Sequence, residues 1–190
     1  SPSSSALRWK STQSEWKFDV RHVRRVWRGD GRWVMPKVSV VMAAYNGERY
    51  IGAAIDSVLA QQAVDLELIV VNDGSTDSTP AILERYARQD QRVRVIDRPN
   101  SGRPAIPKND GVAAARGDYV CFLDQDDLID AERTRQLVEG LDRHPEWVAA
   151  FHDMRIVGGD GAPRPGSYLG DAGFLERARA YLTRLADGWF

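Results

Sequence analysis

The chain has 190 residues, 43% hydrophobic and 28% charged, enough to bury the core of one globular domain with an additional arm. Its 26 Lys and Arg against 27 Asp and Glu leave a net charge of −1, so no overall basic field directs it to nucleic acid. A single cysteine excludes a disulfide framework and a cysteine-rich zinc site and fits a reducing compartment, and no apolar run approaches the roughly 18 residues of a membrane span.

In chain order, residues 1–36 carry eight Lys/Arg against three Asp/Glu and four of the six tryptophans. The opening Ser1-Pro2-Ser3-Ser4-Ser5 reads as a flexible tail. Thr12 and Glu15 have the spacing of a capping box, Trp16, Val20, Val23 and Trp27 recur at helical spacing, and Gly29-Asp30-Gly31 stops that helix. The predicted element is a basic amphipathic helix suited to a membrane surface or a partner, or else a leader that packs on the domain. Met35-Pro36-Lys37, directly before the first strong strand, also reads as a natural start.

From Val38 the pattern alternates. Val38–Ala43 is a short apolar run fit for a strand buried on both faces, and Ile51, Ala54, Ile55, Val58 and Leu59 form the stripe of an amphipathic helix. Leu66–Val71 predicts a second strand, Ile82, Leu83, Tyr86 and Ala87 a second helix, and Val93–Ile96 a third strand. A Pro-rich turn leads into a helix over roughly 108–116, followed by a fourth strand at Tyr119–Leu123, a helix carrying Leu137, Val138 and Leu141, and a fifth strand near 147–157. Strands alternating with helices predict an α/β fold, a mainly parallel, doubly wound sheet with helices on both faces. No internal repeat is present.

Such sheets bind ligands at the carboxyl ends of their strands, near the point where strand order reverses. Those ends carry Ala44-Tyr45-Asn46-Gly47, Asn72-Asp73-Gly74-Ser75 and Asp124-Gln125-Asp126-Asp127. Three carboxylates in four residues repel one another unless a cation or water intervenes. At a buried strand end a divalent metal is the natural counter-charge, and oxygen donors without a His/Cys cluster favour Mg²⁺ or Mn²⁺ over zinc. The plainer alternative is a solvated acidic turn capping the next helix. Asp73, at a strand tip, suits a hydrogen bond from a nucleobase imide or ribose hydroxyl, whereas Asp77 to Pro80 read as a helix start. Tyr45 either stacks on a base or covers the sheet edge. Asn46 is expected to cap the first helix. Arg103 and Lys108 flank the crevice, available to a diphosphate or simply solvated. Ala43–Gly47 is not a Gly-rich phosphate loop, which argues against a nucleotidyltransferase.

Taken together, Val38–Asn46, Val71–Asp77, Ala115-Arg116-Gly117-Asp118-Tyr119 and Phe122–Asp127 resemble the ordered motifs of family 2 glycosyltransferases, nucleotide-sugar enzymes of the GT-A fold. The resemblance spans roughly residues 37–157, leaving 1–36 as a basic extension and 158–190 as the start of an acceptor region. It implies a Rossmann-like, mainly parallel sheet and transfer of a sugar from a nucleotide-sugar, typically a UDP-sugar, to an acceptor hydroxyl with inversion. It assigns nucleotide-sugar contacts to Ala43, Tyr45, Asp73, Arg103, Asp124 and Gln125, and the Mn²⁺ or Mg²⁺ contact to Asp126. Tyr45 would pack on the base, Asp73 bond the base or ribose, Arg103 approach the nucleotide, and Asp124 lie against the ribose or metal-bound water.

Two departures stand in the motifs: Ala43-Ala44 replaces the usual Pro-Thr before Tyr-Asn, and Pro107-Lys108-Asn109 stands where Ala-Arg-Asn is common. The family's acidic general base follows the Asp-x-Asp motif at a distance, and no such motif is recognisable in 158–190; Asp153 is the remaining candidate. The rival reading is therefore a nucleotide-sugar-binding module, the donor half of a longer enzyme, without catalysis of its own. Relatives of this kind imply a saccharide or lipid-linked acceptor, polysaccharide biosynthesis and a cytoplasmic location at the inner face of the membrane, with peripheral contact through the N-terminal helix.

Overall fold

The computed structural model describes residues 26–27, 33–34, 36–61, 64–152, 154–158 and 162–167. Strand β1 (Val26–Trp27) pairs antiparallel with β2 (Trp33–Val34). Trp27 therefore lies in a strand and not at the end of the expected helix. The remainder of that expected helix and its capping box lie outside the described residues.

The body of the chain runs β3 (Val38–Ala44), α1 (Ile51–Leu59), β4 (Leu66–Asp73), α2 (Thr79–Gln89), β5 (Val93–Arg98), α3 (Ala105–Ala114), β6 (Tyr119–Phe122) and α4 (Arg133–Arg143). The four strands form one parallel sheet in the order β5-β4-β3-β6. All eight residues of β4 are buried, as a central strand covered on both faces requires. Alternation sorts the side chains of β3. Val38, Val40, Met42 and Ala44 join Leu66, Leu68 and Val70 in a core with Ile51, Ala54, Ile55 and Val58 of α1, Leu83 of α2 and Val138 of α4. Val41 points the other way, against Gly111 of α3, where an added Cβ would collide with its Cγ1. The helices thus cover both faces.

The expected helix near 108–116 begins earlier, at Ala105, because Pro107 is accommodated in the first turn, where its missing N–H is not needed. The expected fifth strand of the sheet is corrected. Residues 147–152 are not strand, and β7 (Arg155–Val157) pairs only with β8 (Pro163–Ser167), in an antiparallel hairpin separate from the parallel sheet. All three residues of β7 are exposed, so its apolar content marked no sheet interior.

A buried polar knot locks the lower end of the sheet. Glu67, 1% exposed, accepts from the Ser39 hydroxyl at 2.7 Å, the Arg116 amide at 2.8 Å and Arg94 Nη1 at 2.9 Å. The Gly117 amide donates to Ser39 Oγ at 2.8 Å, and a Cβ on Gly117 would stand 2.6 Å from the Ser39 backbone nitrogen. This knot fixes how β6 enters alongside β3. Glu67→Ala leaves the buried Ser39 hydroxyl without its acceptor and takes from Arg94 and the Arg116 amide one of two acceptors each, the others being the Ala114 carbonyl and Ser39 Oγ, and is expected to cost about 3 kcal/mol in urea unfolding. A loss below about 0.5 kcal/mol, the level of an ordinary surface change, would contradict it.

The chain winds outward from β3 through β4 to β5, then crosses back through α3 to place β6 on the opposite side of β3. Strand order reverses between β3 and β6, and the crevice expected of such a reversal lies at their carboxyl ends.

Candidate functional site

At that reversal lies a cleft of about 170 Å³. Ala43, Ala44 and Tyr45 line it from β3, Asp73 from β4, Pro104, Pro107 and Lys108 from α3 and its approach, and Asp124 and Gln125 from the end of β6. Four stretches far apart in sequence therefore converge. Arg103 is exposed and does not line the cleft; the basic side chain of its segment that does is Lys108.

Asp73 is the last residue of β4 and is 5% exposed. Arg98 Nη1 and the Ser101 amide, at 3.0 Å, donate to its Oδ1, while the Ser101 hydroxyl donates to its Oδ2 at 2.7 Å. Arg98 in turn pairs through Nε with Asp110 at 2.9 Å. Burial pushes the Asp73 carboxyl up, but the Ser101 bonds and the Arg98 charge outweigh it and hold the carboxyl below its ordinary value. Most of the acceptor capacity of Asp73 is thus engaged in holding the loop after β5. Gly74 follows with φ of +70°, and a Cβ there would stand 2.6 Å from the Asn100 nitrogen, so the same loop closes over the turn only because the residue is glycine.

Sequence reasoning missed Arg98 and Ser101. The signal was available, since Arg98-Pro99-Asn100-Ser101-Gly102 is a turn-rich segment at the carboxyl end of β5, the neighbour of the strand that Asp73 ends.

Tyr45 is 48% exposed and is held by its backbone. Its amide donates to Gln125 Oε1 at 3.0 Å, and Gln125 Nε2 donates to its carbonyl at 3.0 Å. Gln125 also lies where a Cβ on Gly47 would be, with its Cδ 2.7 Å from that position. The side chain between the two acids thus ties the β6 loop to the β3 loop. Gln125→Ala, which removes two hydrogen bonds worth about 1 kcal/mol each, is expected to cost about 2 kcal/mol in urea unfolding. An unchanged unfolding midpoint would show that the clasp does not matter.

Asn46 does not cap α1, which starts at Ile51 after Tyr50. It stands at φ 47°, its Oδ1 accepting from the Thr76 amide at 2.8 Å and its own amide donating to Ser75 Oγ at 3.0 Å. With the Gly47 amide on Thr79 Oγ1 and the Glu48 amide on Asp77 Oδ2, the β3–α1 and β4–α2 loops are stitched together. Asp77 also accepts from the Thr79 amide, the expected helix-start contact. The Ser-Thr-Asp-Ser-Thr run is therefore consumed in joining two strand-end loops.

Asp124 and Asp126 are exposed, contrary to the buried, water-poor strand end expected from sequence, because β6 lies at the edge of the sheet. Lys108 Nζ sits 2.6 Å from Asp124 Oδ1. Loss of surrounding water, with the neighbouring charges of Asp126 and Asp124, raises the Asp127 carboxyl above its ordinary value. Among the described residues no three His, Cys, Asp or Glu side chains converge as a metal cage. The donor chemistry, hard carboxylate oxygens facing solvent, fits an ion of the Mg²⁺ or Mn²⁺ kind held by one or two carboxylates with water and phosphate completing the shell. Asp153 lies outside the described residues, and among those described no helix is long and apolar enough to cross a membrane.

The family model described as Glycosyl transferase family 2 matches residues 39–186. The chain belongs to this family. The match starts in β3 and takes in every residue that lines the cleft. Among its relatives, the succinoglycan biosynthesis protein ExoO of Rhizobium meliloti is 39% identical over 127 residues, 67% of this chain and 36% of that protein. The crystal structure of S. aureus TarS 1–349 in complex with UDP-GlcNAc is 33% identical, with a TM-score of 0.56 over 67% of this chain and 37% of that one. The mannosyltransferase PcManGT of Pyrobaculum calidifontis, in complex with GDP-Man and Mn²⁺, is 26% identical, with a TM-score of 0.53 over 56% of this chain and 32% of that one. The parallel sheet with helices on both faces is accordingly a GT-A fold, as the motifs implied. The chain spans about a third of the length of the relatives it matches.

Proposed function

We propose that the chain binds a nucleotide-sugar, a UDP-sugar first among them, and transfers its sugar with inversion to an acceptor hydroxyl in the presence of a divalent ion. The observation that carries this reading is the convergence of Tyr45, Asp73, Lys108 and Asp124 on one cleft at the strand-order reversal. UDP-GlcNAc in TarS, and GDP-Man with Mn²⁺ in PcManGT, support the donor class and the use of a metal. Tyr45 offers an exposed ring for the base, and the Asp73 loop borders the nucleoside. Lys108 supplies positive charge to the diphosphate, and Asp124 borders the ribose or metal-bound water. Asp126, exposed two residues beyond Asp124 and not itself lining the cleft, would hold the ion, which supplies charge neutralisation for the departing diphosphate when bound. Together these residues orient the donor so that the sugar carbon is open to an incoming hydroxyl. A carboxylate takes the proton of that hydroxyl as it attacks; Asp153 is our candidate for this role.

The same reading assigns a saccharide or lipid-linked acceptor, a part in polysaccharide biosynthesis such as the name of ExoO states for that protein, and a cytoplasmic site of action at the inner face of the membrane. That residues 158–190 carry no recognisable acidic base motif favours a second reading, a nucleotide-sugar-binding module without catalysis of its own. Release of UDP from UDP-GlcNAc or UDP-glucose with Mn²⁺ separates the two. Slow transfer to water, seen as UDP accumulating with time, is the expected result. UDP-sugar binding without any release would leave the binding module.

A further inference from the structure

Lys108 and Asp124 reach each other across the cleft from α3 and from the end of β6, 2.6 Å apart. Among the described residues no other Lys or Arg forms an ion pair with Asp124, Asp126 or Asp127. The Lys108 side chain is 29% exposed and that of Asp124 56%, so the pair borders solvent and its partners can be exchanged. A lysine ammonium is a compact charge on a flexible stem with three donors, able to move between acceptors a few ångströms apart. Two incoming groups compete for the members of this pair. A divalent ion at the acidic loop competes with Lys108 for carboxylate charge, and a diphosphate competes with Asp124 for the ammonium.

We propose, resting on the nucleotide-sugar reading above, that Lys108 is an internal counter-ion that suppresses divalent-ion binding until a nucleotide diphosphate draws its ammonium away. A metal ion arriving alone at Asp126 meets an Asp124 carboxylate already engaged by Lys108 and a positive charge beside it, which disfavours it. A diphosphate gives the ammonium a stronger acceptor and frees Asp124 for the ion or its waters. Ion and nucleotide therefore bind with positive coupling, and the coupling is reciprocal.

The test titrates Mn²⁺ into the full chain, following free Mn²⁺ by electron paramagnetic resonance, with and without saturating UDP and corrected for Mn²⁺ held by UDP in solution. Wild type is expected to bind Mn²⁺ roughly tenfold or more tightly when UDP is present. Lys108→Met is expected to bind Mn²⁺ alone about tenfold more tightly than wild type, with the UDP-induced gain reduced by a similar factor. Lys108→Arg keeps the charge and retains the suppression. Unchanged Mn²⁺ affinity in Lys108→Met overturns the proposal, as does an equal gain with and without UDP, which would mean only a long-range charge effect. Wild type that binds UDP and Mn²⁺ while Lys108→Met behaves identically removes this inference alone. Wild type that takes up neither ligand removes the nucleotide-sugar reading and this inference with it.

Discussion

Asp126→Ala is expected to abolish Mn²⁺-dependent release of UDP from a UDP-sugar while leaving the protein folded. The side chain is exposed at the end of an edge strand, so its removal touches no core, and surface changes of this kind stay within about 0.5 kcal/mol of wild-type stability. What it removes, on the proposed reading, is the carboxylate that holds the ion against the leaving diphosphate. That charge stabilisation is worth several kcal/mol, so turnover is expected to fall by about 10³-fold. Thermal unfolding and UDP release measured on one preparation separate the two effects. An Asp126→Ala protein with full Mn²⁺-dependent release would remove Asp126 from the role of ion ligand.

Asp73→Asn is the second large expectation, and it acts on folding and binding together. The carboxylate is buried, holds Ser101 through two donors, its amide and its hydroxyl, and pairs with Arg98. Arg98 keeps Asp110, so the substitution is expected to cost about 2 kcal/mol, the scale of one charge-assisted bond. UDP affinity is expected to fall at least about tenfold as the loop bordering the cleft loosens. The pH dependence follows from the direction of the shift. The carboxyl of the folded protein lies below its ordinary value of 3.8, so its contribution is complete well above that value. It is lost as pH falls through the lower folded value, when the folded protein also takes up the proton. Wild type should therefore lose stability below about pH 4 more steeply than Asp73→Asn in urea titrations across the acid range. Parallel acid limbs would show that Asp73 is not held ionised by its neighbours.

The sheet was legible because its signal is local. Val38–Ala44 and Leu66–Asp73 are apolar runs bounded by turn residues, and Ile51, Ile55 and Val58 repeat at helical spacing. Tyr45, Asp73 and Asp124 could be placed on one crevice because strand ends in a doubly wound sheet converge whatever the side chains do. What could not be read was which polar groups spend themselves on one another. Gln125 looked like a spacer between two acids, yet both ends of its amide are bonded to the Tyr45 backbone, eighty positions away. Asn46 had the residue type of a helix cap, but the helix begins five residues later and the side chain joins two loops instead.

Arg103 and Lys108 could not be ranked from sequence either, since the choice depends on the angle at which α3 leaves the turn. The helix starts at Ala105 and carries Lys108 to Asp124, while Arg103 stays on the outside of the turn. Trp27 followed a helical stripe in sequence and lies in a two-residue strand, where pairing with Trp33–Val34 overrides periodicity. Ala115–Tyr119, read as one motif among four, has a mainly structural use: Gly117 and Arg116 give their amides to the Ser39–Glu67 knot that seats β6.

Whether this cleft holds a nucleotide diphosphate, as proposed, is decided by calorimetric titration of UDP into the full chain with and without Mn²⁺. Saturable binding of UDP that strengthens with Mn²⁺ and weakens in Asp73→Asn is the expected result. Absence of binding by UDP, and then by GDP and dTDP under the same conditions, would remove the proposed donor site.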